Sequence, residues 1–348
     1  MKKKENIILC DCRADEVMTL CSSIINETQK ELSIRSHISN WKRTGKISEL
    51  KRYLKYFSVA FKYFSTRKRY DVIIGWQQFY AIIFGFFCSV FHTKKINTVV
   101  ALNFTYKAKN GKFGKMYKWF MKRSLESGYV DYLHVPSKSY AEEISNSFNF
   151  SLDRIIVIPF GINDPYEKFS KLKAPIENRY VLAIGRSNRD YDFLISAWKN
   201  IDYPLVIISD TYEGDNGGNS TVSIIKNVAG SESYPWVANC AAMVIPIDDG
   251  SICSGDTVLL TAMAMKKKIV VTVPSTLSEM YIVDGENGLL CQKDENAFGS
   301  LMNKVLFSSE YDCLQSNARS CYLNNYSRES MGKRVAEFLI RHSVVDAK

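Results

Sequence analysis

Residues 180–198 read YVLAIGRSNRDYDFLISAW. The first five are a continuous apolar run of strand length. Gly185 ends the run and lets the backbone turn tightly. DFLISAW then carries its apolar residues at helical spacing. An apolar strand, a polar turn and a helix make one βα unit of a parallel sheet, which is covered on both faces. Arg186 and Arg189 then stand at the strand's carboxyl end, beside a helix N-terminus. Two guanidiniums and unpaired helix N–H groups together suit a diphosphate. Ligands of open α/β sheets bind at that end of the strands. The competing reading pairs both arginines with Asp190 and Asp192 as ordinary surface charge.

The same rhythm runs outward in both directions. On the N-terminal side NIILCD, DVIIG, INTVVALNF, DYLHVPS and RIIVIPFG are strands. Helical patterns lie over residues 14–26, 47–64, 79–91 and 112–124 and in SYAEEISNSF. From Ile162 to Arg179 the apolar period stops, and two prolines and many charges mark a linker. Beyond it YPLVIIS, STVSIIKNV, AAMVIPI and KIVVTVP are strands, with a helix starting at YPWVANC. DTVLLTAMAM, AFGSLMNKVL and RESMGKRVAEFLIRHS are helices. Strands that alternate with helices predict the α/β class. Two similar α/β series predict two domains, 1–165 and 175–325, with parallel sheets on either side of a cleft.

Composition narrows the function classes. The chain has 348 residues, 46% of them hydrophobic, which suffices for two cores and excludes a disordered chain. Nine cysteines with no CxxC pair suggest reduced thiols in a cytosolic protein. His37, His92, His134 and His342 stand apart from paired cysteines, so no zinc or other metal site is expected. The basic start MKKKENIILCD meets Asp11 too soon for a secretory signal. The apolar run from Phe79 to Phe91 falls short of the ~20 residues a spanning helix needs.

Charge is uneven. Residues 1–165 carry 27 Lys/Arg against 14 Asp/Glu, whereas 166–348 carry 19 against 22. Within 51–123 there are 16 basic residues and one acid, Asp71, mixed with many Tyr, Phe and Trp. Basic residues among large aromatics suit an anionic membrane surface. Lys55, Lys62, Arg67, Lys118, Trp119, Lys122 and Arg123 are the candidate contacts. The plainer reading is a solvated basic face over an aromatic core. Nucleic acid finds no supporting motif.

Two more stretches carry candidate chemistry. SICSGDT follows AAMVIPI and leads into a helix. Ser254, Gly255, Asp256 and Thr257 are either ordinary caps or contacts to a phosphate or ribose. Glu279 lies beyond KIVVTVP, ahead of the turn DGENG, whose residues tolerate positive φ.

The segments IVIPFGIN (156–163), 180–198, AAMVIPI (241–247), 256–272 and VDGENGLL (283–290) occur in one order. As a set they resemble the C-terminal half of GT-B glycosyltransferases of group 1, the family 4-like type. Within the resemblance Phe160 takes an asparagine's place, and Arg189 falls where the family has its diphosphate-binding lysine. Aligning LLTAMA puts Cys253 and Thr261 where the family commonly has two glutamates, which contact the donor sugar and the ribose. Asp256 is the residue that could take over one contact. The first domain matches only in its βα rhythm.

The resemblance implies two Rossmann-like domains, with a final helix, 328–345, packing back onto the first. It implies transfer of a hexosyl or N-acetylhexosaminyl group from a nucleotide-diphosphate sugar, UDP-sugar being the leading candidate. No other cofactor and no metal is expected. The acceptor would be a saccharide or lipid-linked saccharide in synthesis of capsule, exopolysaccharide or O-antigen. That places the enzyme in the cytoplasm, at the inner face of the membrane. Asn103 stands where relatives often place a histidine, and Asp11 and Glu126 are further candidates for the base. His134 reads as a core or strand-end residue. An epimerase of this fold, or a silent binding protein, is the alternative.

Overall fold

The structure is a computed structural model that describes residues 3–38, 46–252, 254–342 and 344. It divides into two compact units, Met1–Gly161 with Arg328–Lys348, and Ile162–Ser327.

Unit 1 begins β1 (Glu5–Cys10), α1 (Ala14–Thr28), β2 (Ser33–Ser36), α2 (Lys46–Ser65), β3 (Tyr70–Gly75) and α3 (Gln78–Val90). It continues β4 (Thr98–Ala101), α4 (Gly111–Leu125), β5 (Tyr132–Val135), α5 (Lys138–Phe148) and β6 (Ile155–Val157). The strands form one parallel sheet in the order β2-β1-β3-β4-β5-β6. Alternate residues feed two cores, as a period of two requires. Ile7, Leu9, Ile73, Val99 and Leu133 face Tyr80, Phe84, Met121 and Phe148. Ile8, Cys10, Val72, Ile74 and Val100 face Val17, Leu20 and Ile24 of α1.

Unit 2 holds α6 (Tyr166–Phe169), β7 (Val181–Ile184), α7 (Tyr191–Ala197), β8 (Leu205–Ile208), β9 (Val222–Ile225) and α8 (Tyr234–Asn239). Then come β10 (Ala242–Ile245), α9 (Asp256–Ala264), β11 (Lys268–Val273), α10 (Thr276–Tyr281), β12 (Leu289–Gln292), α11 (Glu295–Phe307) and α12 (Cys313–Asn325). Its parallel sheet runs β12-β11-β10-β7-β8-β9. Val181, Ala183, Val244 and Val270 pack with Leu194 and Trp198 near α7 and with Phe298 and Met302 of α11. Leu259 to Ala264 are buried in an unbroken run, so α9 is enclosed on every side. Arg319 of α12 donates to the Ala264 carbonyl at the end of α9 (3.0 Å) and pairs with Asp164. The stretch 162–179 thus lies within unit 2. After Ser327 the chain re-enters unit 1 as α13 (Arg328–Arg341), and Met331, Val335, Ala336 and Leu339 join the core lined by α1.

The differences from the expected elements have local causes. β2 is a four-residue edge strand, SIRS, with no apolar run to announce it. α10 and α12 are short or polar, and neither shows a clear apolar stripe. The apolar segment after β3 is α3, buried along most of its length, with Tyr80 to Gly85 inside the core. No helix among the described residues is long and apolar enough to cross a membrane.

Candidate functional site

The loop after β7 and the loop after β10 meet at the carboxyl edge of the unit 2 sheet. Asn188 joins them. Its backbone is left-handed (φ 56°), which asparagine tolerates better than most residues. Its Nδ2 donates to the Asp249 carbonyl (2.9 Å) and to Ser254 Oγ (3.0 Å), and its Oδ1 accepts from Asp249 N–H (2.8 Å). A bridge between Arg189 and Ile247, and the bond from Asp190 N–H to the Pro246 carbonyl (2.9 Å), continue the seam. Lys293 clamps it from outside, donating to Asp190 (2.8 Å) and to the Asp248 carbonyl (2.9 Å).

Arg189 lies in the middle of this seam. A Cβ built on Gly185 would stand 2.7 Å from its Nε, and one built on Gly255 would stand 2.7 Å from its Nη2. Gly255 also has φ +99°, a conformation that side chains resist. Two glycines therefore clear the space for one guanidinium. Its Nη1 donates to the carbonyls of Ser187 (3.1 Å) and Asn188 (3.2 Å), while its Nε is buried without a partner. Burial lowers its pKa, and the charges of Tyr191 and Asp256 act in the opposite sense. Gly255 is the N-cap of α9 and offers no side chain to the helix's first N–H groups. A half-buried cation beside an open helix N-terminus favours an anion.

The other predicted residues divide. Arg186 is exposed and pairs with Asp210 (3.4 Å), so it does not share Arg189's enclosed setting. Neither arginine pairs with Asp190 or Asp192: Asp190 caps α7 through Phe193 N–H (3.0 Å), and Asp192 accepts from Tyr212 (2.6 Å). Ser254 belongs to the Asn188 junction. Asp256 accepts from the Tyr281 hydroxyl (2.8 Å) and thereby ties α9 to α10. Glu279 is exposed on α10, whose Leu277 packs against Gly255.

Thr257 lines a cavity of about 360 Å³ with Val258, Thr261, Ile184, Ser231 and Tyr234. That is within the range of small-ligand sites. Thr261 Oγ donates back to the Thr257 carbonyl (2.6 Å), so its proton is spent inside α9 while its oxygen can still accept. Cys253 lies outside the described residues. Sequence reading missed Asn188, Lys293 and Tyr281, together with the Gly230–Tyr234 wall of the cavity. Asn188 had the clearest signal, an asparagine within a βα turn. A larger hollow, about 740 Å³, includes Arg179, Lys267 and Lys268 at the opposite edge of the sheet. It is the weaker candidate, because Lys267 is bonded to the Ala238 carbonyl and Lys268 to Val305 and Asp312.

In unit 1, Asp11 follows β1 and accepts from Tyr56 (2.8 Å) and from Gln77 (3.1 Å). Asn103 is left-handed (φ 53°), donates to the Trp76 carbonyl (3.3 Å) and has a buried Oδ1 without a partner. His134 is fully buried. It accepts from Asn103 N–H at Nδ1 (3.1 Å), so Nε2 carries the proton and donates to the Ile158 carbonyl (2.8 Å). Burial pushes its pKa down to about 4. It is a neutral structural residue. Glu126 caps α4 and pairs with Lys122 (3.6 Å).

Among the basic residues, Lys55 donates to the Ile38 carbonyl and Arg67 to the Phe64 carbonyl (3.2 Å). Both are partly spent on unit 1 itself. Lys62, Lys118, Trp119, Lys122 and Arg123 are exposed. Among the described residues no group of three or more His, Cys, Asp or Glu could hold a metal ion.

The family model described as "Glycosyl transferases group 1" matches residues 178–307. No curated protein matches by sequence. A glycosyltransferase from Rickettsia africae superposes with a TM-score of 0.64 at 14% identity, covering 97% of this chain and 99% of that one. HepE from Anabaena, solved in complex with UDP, gives 0.63 at 12% identity, covering 97% and 100%. The lipopolysaccharide outer core galactosyltransferase WaaB gives 0.59 at 14% identity, covering 96% and 99%. Residues 178–307 thus match the glycosyl transferases group 1 model, and the whole chain has the GT-B fold of these structures.

Proposed function

We propose that the protein transfers a hexosyl or N-acetylhexosaminyl group from a nucleotide-diphosphate sugar, UDP-sugar first among them, to a saccharide or lipid-linked saccharide. The observation that carries this reading is Arg189. Its half-buried guanidinium sits between Gly185 and Gly255 at the open N-terminus of α9, next to a cavity of about 360 Å³. The diphosphate would lie against Arg189 and the N–H groups of α9, and the nucleoside would enter the cavity beside Thr257 and Thr261. Charge develops on the leaving diphosphate as the glycosidic bond breaks. A fixed cation and helix N–H groups stabilise that charge without a metal ion. Arg186 would reach the diphosphate by exchanging Asp210 for it. Gly255, Ser254 and Asn188 would keep the loop in shape, and Asp256 would do so through Tyr281. Glu279, exposed on α10, would contact the outer part of the donor. Asp11 and Asn103 are the candidates for acceptor handling.

The likeness to HepE, which binds UDP, supports a UDP-sugar donor, and the likeness to WaaB, a lipopolysaccharide outer core galactosyltransferase, supports a role in bacterial surface polysaccharide synthesis, as capsule, exopolysaccharide or O-antigen. With the basic face of unit 1 they support work in the cytoplasm, at the inner face of the membrane. The test is a thermal-shift panel of nucleoside diphosphates on the wild type and on Arg189→Ala. UDP should raise the melting temperature of the wild type only. An equal shift in both proteins, or none in the wild type, would end the reading. Binding of UDP-sugar without release of UDP to any acceptor would favour the silent or epimerase alternative.

A further inference from the structure

We infer that the outer face of α2, α3 and α4 in unit 1 docks onto an anionic lipid bilayer. The inference rests on the membrane part of the proposal above and is independent of its nucleotide chemistry. Leu50, Leu54, Phe57 and Phe61 recur at i, i+4, i+7 and i+11 on α2 and form one stripe. Leu50 and Leu54 are each 61% exposed. On α4, Phe113, Met116 and Trp119 are all more than half exposed, Trp119 at 58%. Ring contacts bridge the two helices across α3: Phe61 to Phe87 at 5.3 Å, Phe57 to Phe120 at 5.9 Å, and Phe86 to Trp119 at 6.1 Å. The exposed side chains are thus a continuous ridge over three helices. Soluble monomers rarely leave so large an apolar patch in water.

Cations border the ridge. Lys51, Lys62, Lys112, Lys115 and Lys118 are exposed. Among the described residues none of these five pairs with a carboxylate. An apolar ridge with a cationic border matches a layer of anionic headgroups over acyl chains, where an interfacial helix lies in the plane of the membrane. A second copy fits poorly. Two such faces would oppose like charges, and 51–123 supplies only Asp71 to answer 16 Lys/Arg. Nucleic acid would neutralise the lysines but leave Leu50, Leu54 and Met116 in water.

The full chain is sedimented with vesicles of phosphatidylcholine, alone or with about 30% phosphatidylglycerol. Binding is expected to the anionic vesicles only. It should weaken several-fold as salt rises from about 0.1 to about 0.5 M. Trp119 should be quenched by brominated lipid. The variant Leu54→Ser, Phe57→Ser, Trp119→Ser changes only exposed residues, and it should bind vesicles at least about tenfold less. The UDP thermal shift, read on the same samples, reports separately on the transferase reading and on folding of the variant. Failure of the UDP shift with intact vesicle binding would overturn only the transferase reading. Equal binding to neutral vesicles, binding to neither, or self-association that the variant abolishes would overturn the membrane inference.

Discussion

Arg189 and Arg186 look alike in sequence but occupy different settings. Arg189 has a buried, unpartnered Nε between two glycines. Arg186 is an exposed member of a surface pair, and such pairs are worth ~0–1 kcal/mol. Arg189→Ala should therefore lower kcat by about 100-fold, the scale of one lost charge-stabilising donor. Arg186→Ala should lower it by about tenfold or less. Both are read in a UDP-release assay, with circular dichroism unchanged. Equal losses would contradict the assignment. The neighbouring Asn188 has one of the clearest structural roles in the site, and its type hints at it, because a left-handed turn residue suits asparagine. Its partners at Asp249 and Ser254 lie more than sixty residues away in sequence, and nothing local names them.

His134 gives a pH prediction. Its ordinary value is 6.5, and burial lowers it to about 4 in the folded state. Between those values the unfolded chain binds more protons than the native chain, so stability rises with pH across that window. The stability is complete above about pH 6.5. It falls by about 3 kcal/mol as pH drops toward 4. Chemical denaturation from pH 7 to pH 4.5 should show the loss, and His134→Gln should remove that component of it. A flat profile for His134 wild type would contradict its burial as a neutral ring.

At the scale of elements, α9 and α13 show how far periodicity reaches. LLTAMA was legible as a buried helix because it is apolar almost without interruption, and α9 is enclosed accordingly. What encloses it was not legible, since α12 has a weak apolar pattern and lies fifty residues downstream. α13 crosses α1 closely. A Cβ added to Gly332 would come within 2.7 Å of the Leu20 carbonyl and 2.7 Å of Ser23 Cβ. Neither is the free end of a flexible side chain. Gly332→Ala should cost about 1–3 kcal/mol through overpacking, despite alanine's better helix propensity. Urea denaturation measures this. A stabilised variant would mean that α13 can move away from α1. The edge strand β2 escaped notice for the opposite reason, because its pairing to β1 supplies the order that its four residues do not signal.

At the scale of the molecule, donor binding should be confined to unit 2. UDP at about 100 times its Kd should add about 2.7 kcal/mol to the stability of the unit that binds it. Amide exchange should slow in residues 185–190 and 254–258 and stay unchanged at β1, β3 and β4. Protection in unit 1 instead would move the donor site away from Arg189. Two α/β series were legible as such because each parallel strand is an apolar run with a helix after it. The repeated pattern predicted the fold class, which the two six-stranded parallel sheets and the likeness to GT-B glycosyltransferases support.

Local residue order thus determined the βα rhythm, the buried character of α9, the position of the 185–190 and 254–257 turns at strand ends, and the basic, aromatic character of 51–123. These are properties of neighbouring side chains, and periodicity reports them. Tertiary structure decided which arginine is enclosed, that Asp256 is tied to Tyr281, that Lys55 and Arg67 turn partly inward, and that the aromatics of α2, α3 and α4 join in one exposed ridge. Each of those depends on distant segments coming within a few ångströms, and the spacing of residues along the chain carries no record of that distance.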